Sequence, residues 1–205
     1  MPTRLIAVGA IGDDHVRLLQ TANSDAGDWI ALSHQWGPEP HFSTNRRNLE
    51  SHLNGILLAS LPATFRDAVV VTRALGLKYL WIDSICIIQG KDGDFNQEAK
   101  RMEDVYSGAY CVLAASRAAS HFSGFLSQRK AREFVTLNQN ENEPFYICEM
   151  IDDFKSHVLD GALSSRGWVM QEHALARRTI FFTENQTYWE CGEGVRCETM
   201  TKMSK

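Results

Sequence analysis

Ligand sets that hold zinc are missing from this sequence. It has no C-x-x-C pair, no H-E-x-x-H and no cluster of thiolates, so no metal site is expected. It also lacks G-x-G-x-x-G and G-x-x-x-x-G-K-[ST], which removes the standard dinucleotide and triphosphate loops; Gly90-Lys91-Asp92-Gly93 reads only as a turn. No apolar run approaches the roughly 20 residues of a membrane span, and Met1-Pro2-Thr3-Arg4-Leu5 does not read as a signal peptide. An excess of charge is missing too. The net charge is -4, and the basic residues are scattered, so neither nucleic acid nor a membrane surface is an expected partner. There is no internal repeat and no low-complexity segment.

Cysteine is present but in an odd count of five: Cys86, Cys111, Cys148, Cys191 and Cys197. The first three sit in apolar or strand-like runs, where a free Cys behaves as a small hydrophobe. The expectation is a reduced, cytoplasmic protein without a disulfide framework. A Cys86-dependent hydrolase is a third-ranked chemistry, because a thiol in an apolar strand is a poor nucleophile.

The 205 residues, 44% of them hydrophobic, suit a single domain. Residues 3–21 read as two short strands around a Gly12-Asp13-Asp14 turn. Trp29 to His34 is a buried strand that opens into a loop at Gly37-Pro38. Residues 46–54 read as a short helix. Ser60 is expected to cap the next helix, with Pro62 in its first turn, Phe65, Val69, Thr72 and Leu75 on its buried face, and Gly76 as its stop. Tyr79 to Asp83 is a second buried strand. Asp94 is expected to cap a helix burying Phe95, Met102, Val105, Tyr106 and Ala109, and Tyr110 to Ser116 is a third buried strand.

This alternation of strand and helix predicts a central, mainly parallel sheet flanked by helices. In such sheets ligands collect beyond the strand C-terminal ends. Those ends carry Ser33-His34, Asp83-Ser84 and Ser116. A hairpin follows (residues 134–137 and 145–148, around a turn at 138–144), then a helix, then strands over 179–183 and 187–191. Residues 198–205 are expected to be frayed.

The segment Ser164-Ser165-Arg166-Gly167-Trp168-Val169-Met170-Gln171-Glu172 opens that late helix. Trp168 and Glu172 stand four residues apart and project from one face. An aromatic ring beside a carboxylate can stack on a flat ligand and keep the carboxyl partly dry. On spacing alone, the pair reads as a core Trp with a Glu at its edge. Ser33-His34-Gln35-Trp36-Gly37 suits either a sheet-edge cover or a site. Asp83 suits either a helix-capping or loop-bracing carboxylate or a ligand contact. Glu98 reads as a rim residue.

Five blocks, in order, resemble the heterokaryon incompatibility (HET) domain of filamentous fungi. They are W-I-A-L-S-H-Q-W-G at 29–37, the stretch from L-P-A-T-F-R-D to W-I-D-S-I-C-I-I-Q at 61–89, E-A-K-R-M-E-D-V-Y-S-G-A at 98–109, G-F-L at 124–126, and S-R-G-W-V-M-Q-E-H-A-L-A-R-R-T-I-F-F-T at 165–183. Phe95 replaces the tryptophan usual there. The resemblance implies a single HET domain over 1–205, with a core at about 29–116 and 164–191 and a β-rich insertion at about 120–163.

That family is similar, distantly, to Toll/interleukin-1 receptor (TIR) domains, which implies a flavodoxin-like sheet and a role in programmed cell death and innate immunity. Some TIR domains cleave NAD with a glutamate in a W-x-x-x-E helix. Carried over, this implies Glu172 as catalytic residue, with Ser33, His34, Trp36, Asp83, Arg166 and Trp168 binding NAD as substrate and no bound cofactor. The alternative it implies is a non-enzymatic signalling module that associates with itself or with other cell-death proteins.

Overall fold

The computed structural model describes every residue except 23–25, 130, 132, 138–144, 149, 166, 204 and 205, and the side chains of Trp168, Met170 and Gln171. In chain order the strands are β1 (Arg4–Ala7), β2 (His15–Gln20), β3 (Trp29–Ser33), β4 (Ile56–Leu57), β5 (Tyr79–Trp81), β6 (Cys111–Ala114), β7 (Phe134–Leu137), β8 (Phe145–Cys148), β9 (Arg178–Phe182), β10 (Thr187–Cys191), β11 (Gly194–Cys197) and β12 (Lys202–Met203). The helices are α1 (Leu49–Asn54), α2 (Ala63–Ala74), α3 (Asp83–Cys86), α4 (Phe95–Glu98), α5 (Met102–Gly108) and α6 (Gly167–Leu175).

Ten strands form one mixed sheet in the order β12-β11-β10-β9-β6-β3-β5-β1-β2-β4. Only the centre is parallel: β3 pairs in parallel with β5 and β6, and β6 with β9. The remaining six pairings are antiparallel, so the expectation of a mainly parallel sheet holds for the middle of the sheet and not for its flanks. The burial patterns show why. β3 (WIALS) and β6 (CVLA) are buried at every residue, as strands covered on both faces must be. β2, β10 and β11 alternate buried with less buried residues, the pattern of a sheet with one dry face. Residues 198–203 are not frayed: β12 pairs with β11, and the Glu198 carboxylate accepts the Thr187 N–H and an ion pair from Arg129; 204 and 205 lie outside the described residues.

The helices bury much of what helical spacing predicts, with five corrections. In α2, Phe65, Val69 and Thr72 are buried, but Leu75 lies past the helix end and is 44% exposed. Gly76 follows in the left-handed region (φ +72°), where the missing Cβ costs least. Ser60 does not cap this helix. It ends a short 3-10 turn and donates to the Leu57 carbonyl, because Pro62 holds the N-cap position and leaves Ser60 two residues short of it. Asp94 holds the N-cap position of α4 but its side chain makes no capping hydrogen bond, and Phe95 is 45% exposed rather than buried. Finally, Glu98 is buried and accepts a hydrogen bond from Thr3 Oγ1 (2.7 Å), so it is not a rim residue.

Asp94 is instead the hub that ties the N-terminal strand to the middle of the chain. One carboxylate oxygen accepts the Ile88 N–H at 2.8 Å, and the other pairs with Arg4. Arg4 is 5% exposed and also donates from Nε to the Cys86 carbonyl. The expected hairpin is present as a separate two-stranded sheet of β7 and β8, its described residues exposed on both faces; its turn at 138–144 lies outside the described residues.

Arg4→Met should lower folding stability by about 3–5 kcal/mol, because it strands the Asp94 carboxylate in a largely dry site. Urea denaturation of the two proteins measures this. A loss below about 1 kcal/mol would show that the pair is not structural.

Candidate functional site

The C-terminal end of β3 carries the central contact. Ser33, its last residue, is 3% exposed, and its Oγ donates to Glu172 Oε2 at 2.5 Å. Glu172 is 6% exposed, a low value for a carboxylate. Its position follows from α6. Val169, Glu172 and His173 stand at i, i+3 and i+4, one face of a helix, and Val169 joins the core beneath it. His173 then meets Glu190 of β10 at 2.5 Å, which fixes the rotation of α6 against the sheet.

The segment after β3 runs across the end of β5. Asp83, first residue of α3, holds it there. Its Oδ2 accepts Trp36 Nε1–H at 2.8 Å and its Oδ1 accepts the Ser84 N–H at 2.7 Å. Gly37 adopts φ +75°, and a Cβ there would sit 2.2 Å from that of Ser120, so this turn needs glycine on both counts. Thr44 continues the frame. Its N–H donates to the Ser84 carbonyl, its carbonyl accepts the Gln89 N–H, and its hydroxyl meets His52 Nδ1 at 2.8 Å.

Two adjoining cavities open here. One, of about 180 Å³, is lined by Trp36, Asp83, Ile87, Gln89, Phe95, Met102 and Glu172. The other, of about 370 Å³, is lined by Lys100, Glu103 and Tyr106 among others, and again by Met102 and Glu172. Glu172 and Met102 are thus the shared wall.

The sequence-derived candidates divide accordingly. Trp36, Asp83 and Glu172 come together on the cavity walls. Ser33 stands behind Glu172 and orients it. His34 is 3% exposed; its ring packs edge-on against Phe65 at 5.0 Å, and its Nδ1 is 3.9 Å from Asp83 Oδ1, placing it beneath the loop. Arg166 and the side chain of Trp168 lie outside the described residues. Sequence reasoning missed Gln89, Met102, Lys100 and the role of Phe95 as an exposed wall.

No described residues form a cluster of three or more His, Cys, Asp or Glu able to hold a metal ion. Burial pushes the thiols of Cys86 and Cys111 up to about 12, which leaves both protonated and unreactive near neutrality. A Cys86 nucleophile therefore has no chemical support.

Burial biases two histidines near the loop, His52 and His121, toward the neutral ring. Burial lowers His52 below its usual 6.5. His121 is lowered by burial first and by nearby His41 as well, against a smaller opposing pull from the Trp36 and Pro40 carbonyls. A base whose folded pKa is depressed contributes stability that is present above its unfolded value and is lost as pH falls through the folded value. The urea midpoint should therefore drop between about pH 7.5 and pH 5.5, on either side of the ordinary histidine pKa. His52→Gln, which keeps a partner for Thr44, should show a smaller drop, and an equal drop in both proteins would remove His52 from the account.

No curated protein and no solved structure matches the chain. The family model described as heterokaryon incompatibility protein (HET) matches residues 29–172, from the start of β3 to Glu172 itself. That span holds most of the 205 residues and every described wall of the two cavities except Ala174 and Leu175, and the chain accordingly belongs to the HET family.

Proposed function

We propose that this HET domain cleaves the bond between nicotinamide and ribose in NAD and kills the cell by depleting it. The observation that carries the reading is a buried carboxylate, Glu172, held by Ser33 at the junction of two cavities whose other walls mix aromatic, aliphatic and polar side chains. In this reaction the C–N bond breaks and both its electrons leave with the nicotinamide nitrogen. The positive charge passes to an oxocarbenium-like ribose, as in glycoside cleavage. Water then adds to the anomeric carbon and gives up a proton. Glu172 stabilises the developing charge and can take that proton, and the Ser33 hydrogen bond fixes the carboxylate in advance.

The strand order supports the reading. The four parallel strands β3, β5, β6 and β9 stand in the order second, first, third, fourth, which is that of a flavodoxin-like sheet. In such sheets ligands sit at the strand ends where the order reverses, here between β3 and β6. Ser33 ends β3 at that point. Likeness to TIR domains accords with this arrangement and with Trp168 and Glu172 in one helix.

A second reading, an assembly module without catalysis, draws on the β7–β8 hairpin, which exposes Phe134, Val135, Phe145, Tyr146 and Ile147, each by more than half.

Incubation with NAD should release nicotinamide, and Glu172→Gln, which keeps the shape but removes the charge, should lower the rate by about 10²–10³ or more. Ser33→Ala should cost less, about tenfold, because it loosens the carboxylate without removing it. Release unaffected by Glu172→Gln would sink the catalytic role. No release from wild type, in dilute or in concentrated assembled protein, combined with loss of cell killing in Tyr146→Glu, would favour the assembly reading.

A further inference from the structure

The two cavities differ in charge, and they share Met102 and Glu172. The smaller has two carboxylates, Asp83 and Glu172, two aromatic rings, Trp36 and Phe95, and no basic residue among its described walls. The larger also has two carboxylates, Glu103 and Glu172, but adds a cation, the exposed Lys100, beside Tyr106. The smaller, at about 180 Å³, is below the roughly 300–1,000 Å³ that drug-sized ligands occupy, so it takes one ring and not a whole dinucleotide.

Resting on the NAD reading, we infer that the small cavity receives the flat, cationic ring of the substrate and the larger one its phosphate-bearing end. A pyridinium ring is attracted to the faces of Trp36 and Phe95 and to two carboxylates. A phosphate in the same place would meet those carboxylates with no described cation to offset them. Lys100 supplies that cation on the far side. The sugar joining ring to phosphate then lies at Glu172, the polar one of the two residues that line both cavities. The charge that leaves the ring during cleavage arrives on this sugar, so Glu172 contacts the transition state more strongly than the ground state.

Phe95 and Lys100 are both exposed, so replacing them leaves the core intact. The test is binding of two fragments to the whole chain, by calorimetry, without turnover. The cationic fragment is 1-methylnicotinamide and the anionic one is ADP-ribose. Phe95→Ala should weaken 1-methylnicotinamide about tenfold and leave ADP-ribose within about twofold. Lys100→Glu should do the reverse, and neutral nicotinamide should bind less tightly than its methylated cation. If each variant weakens the opposite fragment, or both variants weaken the same one, or neither fragment binds wild type, the assignment is overturned. A fragment pattern as expected with no nicotinamide released from NAD would refute cleavage alone. Nicotinamide release without that pattern would refute the assignment alone.

Discussion

A carboxylate kept out of water needs a donor, and the hydrogen bond from Ser33 to Glu172 meets that need across 139 residues of sequence. Much of the site's geometry depends on it. It joins the last residue of a central strand to a helix that enters the fold more than a hundred residues later. For the bond to form, α6 must sit over the end of β3, and the His173–Glu190 contact on the next residue fixes that seating from the β10 side. A charge this buried is uncomfortable for stability and useful for chemistry, since interactions of a fixed carboxylate strengthen where water is excluded.

The loop after β3 shows the same economy. Asp83 braces the loop, its oxygens accepting Trp36 Nε1–H and the Ser84 N–H, and the residue also lines the small cavity. Trp36 is thereby presented to the cavity edge-fixed, rather than free to collapse onto the sheet. His34, Phe65 and His121 fill the space beneath, so the loop rests on a packed aromatic layer. Arg4 and Asp94 hold the other wall, because the ion pair anchors the turn that leads into Phe95.

The strands of the centre were legible because full burial on both faces forces unbroken apolar runs, and Trp29–Ser33 and Cys111–Ala114 are such runs. The flanks were harder. β4 and β12 are two residues each, too short to carry a period, and antiparallel pairing of β1 with β5 follows from space left beside the sheet rather than from either sequence. The caps assigned to Ser60 and Asp94 failed for one reason: a side chain that suits a helix start can satisfy a nearer or a more charged partner instead. Phe95 and Lys100 escaped notice as site residues because an exposed aromatic and an exposed lysine carry no local signal.

Sequence alone determined the family, the alternation of strands and helices, and the candidacy of Trp36, Asp83 and Glu172. These follow from collinear blocks and from periods that local geometry imposes. Tertiary structure decided which candidates share a wall and which stand behind it. Ser33 and His34 are neighbours in sequence, yet successive residues leaving a strand point opposite ways. One therefore holds the carboxylate and the other packs into the core, and only the register of β3 against its neighbours settles which is which.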